Sequence, residues 1–135
     1  MQSQIGHIFF YGTLMRTFPL RTFAGIDNWL EYIGDGRVPG VLFDLGCYPG
    51  LVVDSCSQVC GEVYRILDPI KLFARVDQIE DYRAATPKEG QYVRQTMDAM
   101  LEDGRAMLVW CYVYNQLLPS SVRIEGGDYR SYAKP

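Results

Sequence analysis

Ile8-Phe9-Phe10-Tyr11-Gly12-Thr13-Leu14 packs aromatic and branched residues densely enough to read as a first, buried strand that ends at a glycine. The glycine lets the backbone turn into a conformation most residues avoid. The amide N–H groups after it then face a cavity in place of a neighbouring strand. Donors held that way form a nest suited to a carboxylate or a developing oxyanion. On its own the stretch also reads as a strand running into an ordinary turn, so its meaning depends on the rest of the chain.

Working outward, Arg16 to Leu30 mixes Phe18, Leu20, Phe23 and Trp29 with polar residues without a clean period, and fits a short helix before a turn at Gly34-Asp35-Gly36. Val38 to Leu45 reads as a strand with Pro39 on an edge or at its start. Gly46 to Leu51 is a loop, with Pro49-Gly50 as the turn signal, and Leu51-Val52-Val53 resumes as a strand. Val59 to Leu67 alternates as another strand. From about Asp68 to Tyr82 the spacing of Ile70, Leu72, Phe73, Val76 and Ile79 predicts a helix, with Asp68 as N-cap and Pro69 in the first position. Tyr92 to Leu101 and Arg105 to Tyr114 flank Glu102-Asp103-Gly104, a hairpin signature. Asn115 to Pro135 looks irregular. The expectation is an α+β domain over residues 1–135, a small, mostly antiparallel β-barrel with few flanking helices.

Thirteen basic against 16 acidic residues leave a net charge of −3, which gives no electrostatic reason to expect a nucleic-acid partner. The apolar runs are too short for a membrane helix, and Met1-Gln2-Ser3-Gln4 does not resemble a leader, so a cytoplasmic protein with no membrane partner is expected. Cys47, Cys56, Cys60 and Cys111 show neither a paired CxxC spacing nor a disulfide framework, and His7 is the only histidine. Free thiols and no metal site are expected, and Ser–His or Cys–His catalysis lacks its histidine unless His7 supplies it.

Glu80 stands out. On a helical wheel it lies about 20° from Phe73 and about 40° from Val76, inside the apolar arc, with Asp77 on the border of that arc. Burial disfavours a charged carboxylate and raises its pKa, which suits proton transfer near neutral pH. The alternative is a glutamate at a helix end that bends out to water or pairs with Arg83 or Arg94.

Phe10-Tyr11-Gly12-Thr13-Leu14, Tyr48-Pro49-Gly50-Leu51, Val59-Cys60-Gly61-Glu62-Val63-Tyr64 and Val76-Asp77-Gln78-Ile79-Glu80, with Tyr92-Val93-Arg94 beyond, occur in an order that resembles the γ-glutamylcyclotransferase-like family, including its γ-glutamylamine cyclotransferase branch. The resemblance spans about residue 7 to the Gly-Asp-Tyr near position 128. It implies a barrel with a cavity at one end, in which Tyr11, Gly12, Thr13 and Leu14 bind a γ-glutamyl group through backbone amides and Glu80 is the general acid/base. The implied reaction needs no cofactor: the substrate's own α-amine closes on its γ-carbonyl, giving 5-oxoproline and a free amine. Val76 stands where leucine is more usual and Thr13 where some members have serine. A non-catalytic binder, or an enzyme of the same fold acting on another acyl amide, is the alternative. Tyr48 and Tyr129 lie in loops where they either line a cavity mouth or simply pack, as tyrosines commonly do here, Glu62 is read as structural or solvent-facing, and Arg94 as the partner of a carboxylate.

Overall fold

In the computed structural model, which describes residues 5–118 and 121–133, the first strand β1 (His7–Phe10) is paired on both edges. The Met1–Gln4 stretch considered for a leader lies outside the described residues. One neighbour is β5 (Gln58–Ile66), antiparallel, with Phe9 opposite Val63 and Phe10 opposite Glu62. The other is β7 (Ala106–Tyr114), parallel, with Ile8 opposite Trp110. A strand enclosed on both sides and both faces carries a continuous apolar run rather than an alternating one, and Ile8, Phe9 and Phe10 are all buried.

The barrel closes in the order β1-β5-β2-β6-β7, with β2 spanning Leu30–Pro39 and β6 Tyr92–Leu101. The β6–β7 hairpin turns at Glu102-Asp103-Gly104, where Gly104 takes φ +94°. A second sheet, β4-β3-β8, joins β3 (Val41–Asp44) to β4 (Pro49–Val52) and β8 (Val122–Arg123). Helices α1 (Pro19–Ala24), α2 (Pro69–Ile79) and α3 (Tyr129–Ala133) pack outside, giving the α+β barrel expected. Asp68 caps α2 by accepting from the Lys71 amide at 3.1 Å, and Pro69 occupies its first turn.

Several sequence expectations need correction. Gly34-Asp35-Gly36 is not a turn but the middle of β2, where the register with β5 shifts between Tyr32 and Gly34. Glycines in a barrel strand mark such irregularities and close approaches, and here a Cβ on Gly36 would lie 2.8 Å from the Met100 carbonyl. The strand expected over Val38–Leu45 is divided at Gly40 between β2 and β3. Pro49-Gly50 opens β4 instead of turning a loop, because proline is tolerated as a strand's first residue. The tail is not irregular throughout: it contributes β8 and α3. Tyr129 sits in α3, buried and stacked on Phe18 at 5.3 Å, not at a cavity mouth.

Glu62 is not solvent-facing: it is 1% exposed and paired with Arg16. Beside it, Gly61 allows β1 to approach closely, since an added Cβ would lie 2.3 Å from the Phe10 carbonyl oxygen and 2.6 Å from the Phe9 ring. Gly61→Ala is expected to destabilise the fold by about 3 kcal/mol, the upper end for overpacked cores, because backbone cannot swing aside as a flexible side chain can. An unchanged urea midpoint would show that β1 and β5 are not in this register.

Candidate functional site

The C-terminal end of α2 determines where Glu80 points. Leu72 and Val76 are fully buried, so this helix face lies on the barrel and carries Glu80 inward with it. The helix then stops in a Schellman motif: the Tyr82 amide donates to the Asp77 carbonyl at 2.9 Å and the Asp81 amide to Gln78 at 3.4 Å. Asp81 takes the left-handed conformation the motif requires, with φ 54°. Glu80 is the capping residue, its amide still bonded to Val76 at 2.9 Å.

Both arginines proposed as alternative partners are occupied elsewhere. Arg83 pairs with Asp81 at 3.0 Å, and Arg94 with Asp77 at 3.6 Å while lying over the Phe73 ring. Asp77 also accepts from the Tyr112 hydroxyl. The Glu80 carboxylate itself has no hydrogen-bond or ion-pair partner among the described residues. Part of its surface remains open because it forms a cavity wall, yet protein surrounds it over the distances that govern solvation of a charge. Desolvation alone pushes its pKa up from an ordinary 4.5 to about 7. Its charge in turn helps raise the Tyr11, Tyr92, Cys111 and Tyr112 pKa values, after their own burial.

The cavity encloses about 70 Å³ and is lined by the Phe9–Leu14 stretch, Tyr48, Pro49, Glu80, Gln91, Tyr92 and Tyr112, together with Leu20 and Ile79. All five sequence-predicted site residues, Tyr11, Gly12, Thr13, Leu14 and Glu80, therefore meet at one cavity. Tyr11 contributes mainly as an anchor. Its buried hydroxyl donates to the Tyr112 carbonyl at 2.6 Å and accepts from the Leu51 amide at 3.2 Å.

Gly12 is needed for a different reason from the one expected. It is absent from the residues with positive φ, so no special backbone conformation is involved. An added Cβ would instead lie 2.8 Å from Pro49 Cγ, and Pro49 is held in place by the Tyr92 hydroxyl, which donates to its carbonyl at 2.7 Å. The Gly12 carbonyl accepts from the Met15 amide at 3.0 Å, whereas the Gly12, Thr13 and Leu14 amides donate to no group among the described residues. Tyr92 belongs to a motif that carries the resemblance but implies no role for it, and Gln91 and Tyr112 do not stand out in the sequence; the order of barrel strands, which brings β6 and β7 against the helix end, places all three at the cavity. Among the described residues no three His, Cys, Asp or Glu side chains gather as metal ligands, and no helix is long and apolar enough to cross a membrane.

A family profile described as gamma-glutamyl cyclotransferase, AIG2-like, matches residues 8–131. The chain belongs to this family. A Vibrio cholerae relative, provisionally named a gamma-glutamylcyclotransferase, is 33% identical over 122 residues, covering 90% of this chain and 93% of its own length. The Escherichia coli protein ytfP, solved in solution, is 30% identical with a TM-score of 0.64, over 94% of this chain and 98% of that one. A mouse AIG2-like protein shares the fold at 23% identity, with a TM-score of 0.67 over 87% of this chain and 82% of that one.

This AIG2-like chain offers a direct test of its desolvated carboxylate. Below about pH 4.5 Glu80 is protonated in both the folded and the unfolded protein and makes no pH-dependent difference. As pH rises to about 7 the unfolded chain ionises first, so wild-type stability falls by up to about 3 kcal/mol and then levels off. Glu80→Gln removes that loss. Its melting temperature should match wild type near pH 4.5 and exceed it increasingly up to pH 7; a difference independent of pH would mean that Glu80 reaches water.

Proposed function

We propose that the protein is a cyclotransferase that converts a γ-glutamyl amine or γ-glutamyl amino acid to 5-oxoproline and the free amine. The observation that carries this reading is one unpartnered carboxylate, with a pKa near 7, in a small cavity also lined by Gly12, Thr13 and Leu14, whose amides donate to no group among the described residues. Family membership supports it, as does the name of the Vibrio cholerae relative.

The substrate carries its own nucleophile, so the protein must fold it into an attacking geometry, a gain that can be large. Ionised Glu80 takes a proton from the α-ammonium. The freed amine attacks the γ-carbonyl carbon, a C–N bond forms, and the carbonyl oxygen becomes an oxyanion. Amides of the Gly12–Leu14 turn stabilise that oxygen or hold the α-carboxylate. Protonated Glu80 then returns its proton to the departing nitrogen as the oxyanion re-forms the carbonyl and the original C–N bond breaks, and the second proton of the ring nitrogen passes to the released amine, which leaves as an ammonium. The carboxylate ends as it began, and a pKa near 7 lets one group perform both transfers. Among the described residues the cavity lining contains no Lys or Arg, so a leaving group bearing its own carboxylate finds no cation among them. This favours a γ-glutamyl amine over a γ-glutamyl amino acid.

Release of 5-oxoproline from a panel of both substrate classes tests the reading, with faster turnover expected for amines. Glu80→Gln should retain 5-oxoproline binding and lose about 10² to 10⁴-fold in kcat. Wild-type kcat/KM should rise with pH to a plateau above about 7. A Glu80→Gln protein with wild-type turnover would sink the mechanism.

The turn yields a second comparison. Gly12→Val should abolish 5-oxoproline binding, because its side chain enters the space occupied by Pro49. Thr13→Ala should change binding less than about threefold, since only backbone at that position is used. Equal loss in both variants would assign the contact to the Thr13 side chain.

A further inference from the structure

We propose that Glu62 is a positioning residue for this site: from within β5 it holds the backbone of residues 14–16 so that the Gly12–Leu14 turn keeps its place in the cavity wall. The inference rests on reading that turn as the substrate's anchor. Glu62 lies opposite Phe10 in the β1–β5 ladder, at the point where β1 gives way to the turn. Its Oε1 accepts from the Arg16 amide at 3.0 Å and from the Tyr64 hydroxyl at 2.8 Å. Its Oε2 accepts from Arg16 Nε at 3.2 Å, and Arg130 Nη1 stands 3.8 Å away.

The Tyr64 hydroxyl passes the constraint on. It accepts from Arg21 Nη1 at 3.0 Å, and the same nitrogen donates to the Leu14 carbonyl at 3.0 Å. Asp27 fixes the other side of that guanidinium, accepting from Arg21 Nε at 2.7 Å. Two main-chain groups on either side of Met15, the Leu14 carbonyl and the Arg16 amide, are thus gripped by one network centred on Glu62. Only a carboxylate serves all its donors. A glutamine has a single acceptor oxygen, so either orientation of its amide turns an NH₂ toward another donor.

Three readouts separate positioning from general stability. In Glu62→Gln, hydrogen exchange at the Met15 and Arg16 amides should accelerate about tenfold, while the β6–β7 hairpin keeps its protection. KM for a γ-glutamyl substrate should rise about tenfold with kcat within about threefold, the reverse of the Glu80→Gln pattern. Glu31→Gln, which alters an exposed pair with Arg65, serves as the control and should change none of these. A lower melting temperature with unchanged local exchange and unchanged KM would overturn the proposal and leave Glu62 a stability residue. If Glu62→Gln does not fold, Tyr64→Phe, which removes only the bridging hydroxyl, should accelerate exchange at Met15 and Arg16 in the same sense; no change there is equally decisive against it. If wild type turns over no γ-glutamyl compound, the cyclotransferase reading fails, and exchange at Met15 and Arg16 still decides whether Glu62 holds the turn.

Discussion

A carboxylate without a partner, walled by protein and open only to a small cavity, is the constraint to which the rest of this structure answers. Burying an isolated charge is unfavourable by several kcal/mol, and proteins usually avoid it by pairing, by exposure or by protonation. Here pairing is closed and exposure is confined to the cavity wall. The Schellman end of α2 prevents Glu80 from following the chain outward, and Asp81 and Asp77 engage the two arginines within sequence reach. The hydroxyls nearby are engaged as well: Tyr11 with Tyr112, Tyr92 with Pro49, and Tyr112 with Asp77. Only the proton is left to vary.

Glu62 and Glu80 make an instructive contrast. Glu62 is surrounded by donors and is fully satisfied, which suits a part that must not move. Glu80 is surrounded by groups that have already found partners, which suits a part that must exchange protons. Both lie beside the same Tyr11–Arg16 segment, one below it in the barrel wall and the other across the cavity. The same residue type thus serves opposite ends because its neighbours differ, not because of anything intrinsic to the side chain.

Much of this was legible in the residues. The β1 run, α2 with its Asp68 cap and the β6–β7 hairpin obey local rules of packing, capping and turn chemistry. Glu80 betrayed itself by standing on an apolar helix face. The errors fall where tertiary contacts override local preference. Gly34-Asp35-Gly36 resembles a turn because the reasons for its glycines, a register shift against β5 at Gly34 and close approach to β6 at Gly36, lie in distant parts of the chain. Gly12 resembled a conformational device, whereas its role is to leave room for Pro49. Glu62 alternates like an outward-facing strand residue, and only Arg16 and Arg130, drawn from distant segments, show why that position is covered and the structural alternative holds.

The parallel pairing of β1 with β7 governs the order in which the molecule can be assembled. A ribosome delivers β1 about a hundred residues before the strand that completes it, and until then one edge of this apolar segment is open. The Tyr11 hydroxyl bond to the Tyr112 carbonyl crosses the same seam, linking residues 101 apart. Joining segments so far apart carries a loop-closure cost before any contact rewards it, which makes this a late step in folding. The cavity wall and the barrel seam are therefore one event: a nascent chain ending before β7 holds Glu80 and the glycine turn without the wall that lies between them.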